Sequence, residues 1–159
     1  MNDSPGDVRS LVAAIHNAFD AQELPPDGQI IPRSSISDEA CEVEEAYWGI
    51  RWQDVPRSIL GNNDDSLCFM TPQAFVHYLP RYLVEAVENT AEPGSGIVED
   101  LITQLSPTTS QDFLNERLEL MTTDQKKVIA RVFEHIVNVS ESFVSQRAAE
   151  NLALLWRDV

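Results

Sequence analysis

The chain has no long apolar run, few bases, few glycines and almost no cysteine, and each shortage removes a class of function. No stretch approaches the ~20 apolar residues that a membrane-spanning helix needs. The N-terminus is polar and shows no charged-then-apolar leader profile, so a cytoplasmic location is the expectation. Two cysteines, Cys41 and Cys68, are too few for a disulfide framework. Their apolar neighbours in the sequence predict buried thiols. The six glycines form neither a phosphate-cradling loop nor a dinucleotide fingerprint. The three histidines, His16, His77 and His135, lie far apart, and none makes a metal-binding motif with a neighbour. Cys68 and His77 are the only thiol–imidazole pair close in sequence, and no nucleophile signature surrounds them. No catalytic residue, metal site or cofactor is therefore assigned.

The scarcity of bases is the most informative shortage. Eleven lysines and arginines stand against 26 acids, for a formal net charge of −15. Such a field repels nucleic acid and anionic membrane, and it attracts a basic protein or cations. A plain solvated surface has the same composition, so charge alone does not decide between the two.

What the chain does have is apolar residues at helical spacing. At 159 residues and 43% hydrophobic content it fits one domain with a real core. The strongest local pattern is 67–83, LCFMTPQAFVHYLPRYL. Thr71 suits an N-cap and Pro72 the first helical position. Met70 and Phe75 have the spacing of a hydrophobic staple. Phe75, Leu79, Tyr82, Leu83 and Ala86 then repeat along one face, predicting a helix over 72–88. Pro80 falls inside it, which predicts a kink between Val76 and Pro80. The preceding 66–70 reads as extended or irregular.

The apolar run, Thr71-Pro72, Ala74-Phe75 and Tyr78-Leu79-Pro80 together resemble a family of uncharacterised bacterial proteins known only as a domain of unknown function. Tyr47-Trp48, Trp52-Gln53-Asp54-Val55-Pro56 and Thr122 with Gln125 fit the same resemblance, which would cover roughly residues 36–137. It implies no activity, substrate or catalytic residue.

Along the rest of the chain, Ser4-Pro5 opens a helix to about Phe19, with Val8, Leu11, Val12, Ile15 and Phe19 inward and His16 at the boundary. Residues 22–35, with three prolines and a glycine, read as a loop or linker. Ser37 caps a second helix, with Ile36 and Cys41 placed as a staple. Ala40, Val43, Tyr47 and Ile50 continue its apolar row from Ile36. Asp38, Glu39, Glu42 and Glu45 occupy the opposite face, with Glu44 at its flank. Tyr47, Trp48 and Trp52 either pack in the core or line a groove. Asp54 is placed to cap a short helix over 55–60, and the polar turn 62–65 lacks calcium-loop spacing.

Residues 91–96 read as a loop, 97–105 as a short helix, and Thr109 or Ser110 as the cap of another carrying Phe113, Leu114, Leu118 and Met121. Thr122 and Gln125 have capping-box spacing ahead of Val128, Ile129, Val132, Phe133, Ile136 and Val137. Val144, Ala148, Leu152 and Leu155 lead to Trp156 in a last helix. His77 is expected at the surface or an interface.

The expectation is a mainly α protein, a single domain spanning 1–159. It is an irregular bundle of about six or seven helices with at most one or two short strands. Its expected function is non-enzymatic: an acidic binding protein, of immunity or adaptor type, engaging a basic protein partner through Asp38, Glu39, Glu42, Glu45, Trp48 and Trp52. Nucleic acid and membrane are not expected partners. The alternative is a small hydrolase or ligand-binding protein with a pocket between the aromatic cluster and the kinked helix.

Overall fold

The computed structural model describes residues 5–26, 29–35, 37–62, 66–90, 96–107, 111–141 and 143–158. Among the described residues there are nine α-helices, one 3₁₀ turn and no strand. They are α1 (Pro5–Phe19), α2 (Asp38–Tyr47), the 3₁₀ turn (Trp52–Asp54), α3 (Arg57–Asn62), α4 (Ser66–Phe69), α5 (Pro72–Glu88), α6 (Ile97–Gln104), α7 (Gln111–Leu118), α8 (Thr123–Val139) and α9 (Phe143–Arg157). The protein is mainly α. The short helix expected over 55–60 is present as α3, and the helix at 66–69, α4, was not among those expected.

α5 is the axis. Thr71 accepts from the Ala74 N–H at 3.3 Å and Pro72 occupies the first turn, as the local chemistry dictates. One continuous helix passes through Pro80. Periodicity marked one apolar face, but every residue from Ala74 to Val87 except Arg81 is buried. A helix wet on no side must be surrounded. α1, α4, α6, α7, α8 and the 3₁₀ turn all pack against it.

Two devices fasten neighbours to this axis. Thr71 donates from its hydroxyl to the Gln29 carbonyl at 2.6 Å, and its N–H donates to the Ile30 carbonyl at 2.9 Å. The irregular 22–35 region is thereby pinned to the start of α5, with Ile30 and Ile31 in the core. Arg117 of α7 is buried with its guanidinium 3.3 Å from the Phe113 ring centre and 4.9 Å from that of Phe75. It donates to the Met70 carbonyl at 2.8 Å, and burial lowers its pKa from 12.5 to about 10. A cation on two aromatic faces keeps part of the stabilisation that water would have supplied.

α8 carries the capping box in full. Thr122 Oγ1 accepts from Gln125 N at 3.2 Å, and Gln125 Oε1 accepts from Thr122 N at 3.0 Å. The Gln125 amide also donates to the Ala18 carbonyl at 3.1 Å, joining α8 to the end of α1. The predicted stripe of α8 is inward, with Phe133 wholly buried. α9 forms the most extensive helix pair with α8.

Several expectations are corrected. Residues 66–69 form a helical turn, not an extended segment. Asp54 closes the 3₁₀ turn instead of capping the next helix, which starts at Arg57. Among the described side chains the inward row of α9 is Ser145, Ala149, Leu152, Ala153 and Trp156, with Leu155 outward, while the Val144 side chain lies outside those described. Cys41 and Cys68 are both exposed, not buried. His77 is completely buried, not superficial. The Ser4 and Thr109 or Ser110 caps, the Ile36 half of a staple, and most of the 62–65 and 91–96 turns lie outside the described residues. No helix among the described residues is long and apolar enough to cross a membrane.

Candidate functional site

α2 owes its place to one apolar edge. Ser37 caps it, accepting from Ala40 N at 3.2 Å, and Ala40, Val43 and Tyr47 sink into the core. With those three inward at 3.6-residue spacing, the outer side must carry Asp38, Cys41, Glu42, Glu45 and Trp48. These residues, with Glu44, line a surface groove of about 870 Å³.

The helix ends in a rigid turn. The Trp48 N–H donates to the Glu44 carbonyl at 3.0 Å, and Gly49 follows at φ +69°, left-handed backbone that favours glycine. The Tyr78 hydroxyl from α5 reaches the Tyr47 carbonyl at 2.9 Å and the Ile50 carbonyl at 2.8 Å. Tyr47 and Tyr82 share a hydroxyl–hydroxyl hydrogen bond of 2.6 Å in the core. Burial raises the pKa of Tyr47, Tyr78 and Tyr82, so these hydroxyls stay neutral. Trp48 is thus tied at its backbone while its ring is 48% exposed.

The two predicted tryptophans part company. Trp52, at 1% exposure, is core. Its N–H donates to Nε2 of His77 at 3.2 Å, and its ring lies 4.7 Å from that of His16. Glu39 is exposed but does not line the groove. Of the predicted partner-binding residues, Asp38, Glu42, Glu45 and Trp48 share the groove, and Glu39 and Trp52 do not. Cys41 and Glu44 join it. Cys41 was missed because its apolar neighbours suggested burial, although its place one turn after Asp38 already put it on the wet side.

No acid of the groove forms an ion pair among the described residues. Among those residues there is also no group of three histidines, cysteines or acids arranged to hold a metal. Of the thiol–imidazole pair close in sequence, Cys68 is exposed, whereas His77 is fully buried with its Nε2 accepting the Trp52 N–H. Chemically, the groove offers carboxylates beside an exposed indole face. That combination suits a cationic side chain, which gains both ion pairing and a cation–π contact.

A fold of this kind, an all-helical bundle around one buried axis, defines no chemistry by itself. The chain belongs to a family described as a family of unknown function (DUF6714), which matches residues 7–159. No curated protein and no solved structure matches it.

Proposed function

We propose that the protein is a non-enzymatic binding protein that engages a basic protein partner through the α2 groove. The observation that carries this reading is the half-exposed Trp48, held at its backbone by the Glu44 carbonyl, in a groove whose charged lining among the described residues is entirely acidic. Asp38, Glu42, Glu44 and Glu45 would pair with lysine or arginine side chains, and Trp48 would supply the desolvated anchor. The net charge of −15 steers such a partner from a distance. An immunity-type or adaptor role fits this chemistry, as does a cytoplasmic location.

The test is capture of the partner from the source cell, followed by association rates at low and high salt. Wild type is compared with Trp48→Ala and with Glu42→Lys/Glu45→Lys. The expected result is slower association with rising salt and with the double variant, and faster dissociation with Trp48→Ala. Identical rates for all three proteins, without salt dependence, would show that the groove is only solvated surface.

A further inference from the structure

A second groove, of about 450 Å³, lies between α1 and the 3₁₀ turn and is lined by His16, Asp20, Arg51, Gln53 and Asp54. It is independent of the α2 groove. Among the described residues its lining combines one fixed cation, two carboxylates, a carboxamide and an imidazole.

The geometry spends some of these groups and leaves others open. Oδ1 of Asp20 accepts from the Gln53 amide at 3.2 Å and lies 3.3 Å from His16 Nδ1. Arg51 and Asp54 bracket the 3₁₀ turn, closed by the Asp54 N–H on the Arg51 carbonyl at 2.9 Å. Arg51 precedes the turn in extended backbone and Asp54 closes it. They line the same groove, yet neither forms an ion pair among the described residues.

Two further atoms mark the place as incomplete. Trp52 Nε1, a donor, and Gln53 Oε1, an acceptor, are buried without a hydrogen-bond partner among the described residues. Such atoms are uncommon in a finished interior and ask for an explanation. Gln53 lines the groove, and the Trp52 ring lies against that of His16, another lining residue.

We propose that this groove binds a small zwitterion, an α-amino acid, with its carboxylate on Arg51 and its ammonium between Asp54 and the open oxygen of Asp20. The pairing of charges selects the class. A simple anion meets two carboxylates and the field of the whole protein. A simple cation meets Arg51. A ligand with both signs close together satisfies Arg51 and the two carboxylates at once. The volume is within the usual range for small-ligand sites, roughly 300–1,000 Å³.

The experiment is a nuclear magnetic resonance titration of the full chain with glycine, L-alanine, L-serine, L-glutamine and L-leucine, each to roughly 10 mM, the weak end of specific binding. The Trp52 indole N–H and the His16 ring report on the groove. At least one amino acid should shift both signals saturably, and its N-acetyl and C-amide derivatives should bind about tenfold more weakly or worse. Arg51→Gln, a change at an exposed side chain, should weaken binding similarly, and Asp54→Asn should do so through the ammonium. No saturable shift with any of the five, equal binding of the blocked derivatives, or wild-type binding by both variants overturns the proposal. Circular dichroism melts of the variants confirm that they are folded.

Discussion

His77 makes the stability of this protein depend on pH in a calculable way. The ring is fully buried on α5, with Nε2 accepting the Trp52 N–H at 3.2 Å. Burial, with a smaller contribution from the Arg51 charge, lowers its pKa from 6.5 to about 4 against the pull of the nearby Glu23 and Gln22 backbone. Protonation would put a charge in the core and remove the acceptor of the Trp52 N–H. Between pH 6.5 and 4 the unfolded chain therefore binds the proton and the folded chain does not. Stability is complete above pH 6.5 and falls as the pH drops through this window. Linkage gives a loss of about 2 kcal/mol by pH 5 and about 3 kcal/mol by pH 4.

The control is His77→Gln, whose side-chain carbonyl can accept the Trp52 N–H and does not titrate. Urea unfolding followed by circular dichroism from pH 7 to pH 4 measures both proteins. Carboxylates that titrate near pH 4 act on both, so the difference between the two curves isolates His77. The wild type should lose stability more steeply, approaching one proton's slope of about 1.4 kcal/mol per pH unit. Parallel curves would show that His77 is either accessible to protons in the folded state or hydrated. The account of the α5–3₁₀ junction would then be wrong.

Three other outcomes follow from the packing. Phe133→Ala, at a wholly buried position in α8, should cost about 3–5 kcal/mol in urea unfolding, and wild-type stability would remove α8 from the core. Gly49→Ala has nothing within 4 Å of its new methyl group, so its cost is backbone strain alone, roughly 1–2 kcal/mol by thermal melting. Arg117→Leu should keep the contact with Phe113 but strand the buried Met70 carbonyl, costing about 1–3 kcal/mol in the same assay.

Local chemistry was legible wherever a cap and a stripe coincided. Thr71-Pro72 and Thr122 with Gln125 fixed the starts of α5 and α8, because the capping groups lie within three residues of the N–H groups they satisfy. Long-range burial was not legible. His77 and Glu85 look like surface residues in a linear pattern, but each is buried against a partner more than twenty positions away, the Trp52 N–H and Arg57. Arg117 gave no sign of its place between two aromatic rings. The site was half legible. The acidic face of α2 followed from helical spacing, whereas separating exposed Trp48 from buried Trp52 required knowing where the chain turns at Gly49. The groove beside Arg51 had no sequence signature, since its charges come from α1 and the 3₁₀ turn.

The distribution of cations bears on whether the α2 acids are kept for function. Arg57 and Arg81 meet buried Glu85, Arg117 is enclosed, and Arg157 pairs with Glu134. Asp38 and Glu39 need no cation, because the start of a helix favours negative charge. Glu44 and Glu45 have no such support. They sit in the last turn of a ten-residue helix that has no basic residue there, where the dipole opposes them. Glu42 adds like-charge neighbours at Asp38 and Glu45, at about 0.2–0.5 kcal/mol each. Stability alone would place a lysine at 45. Glu45→Lys should therefore raise the urea midpoint slightly, by the equivalent of about 0.3–1 kcal/mol, while slowing association with a basic partner. If instead the substitution stabilises α2 and leaves association unchanged, the acids there are not kept for binding. The groove would then be surface.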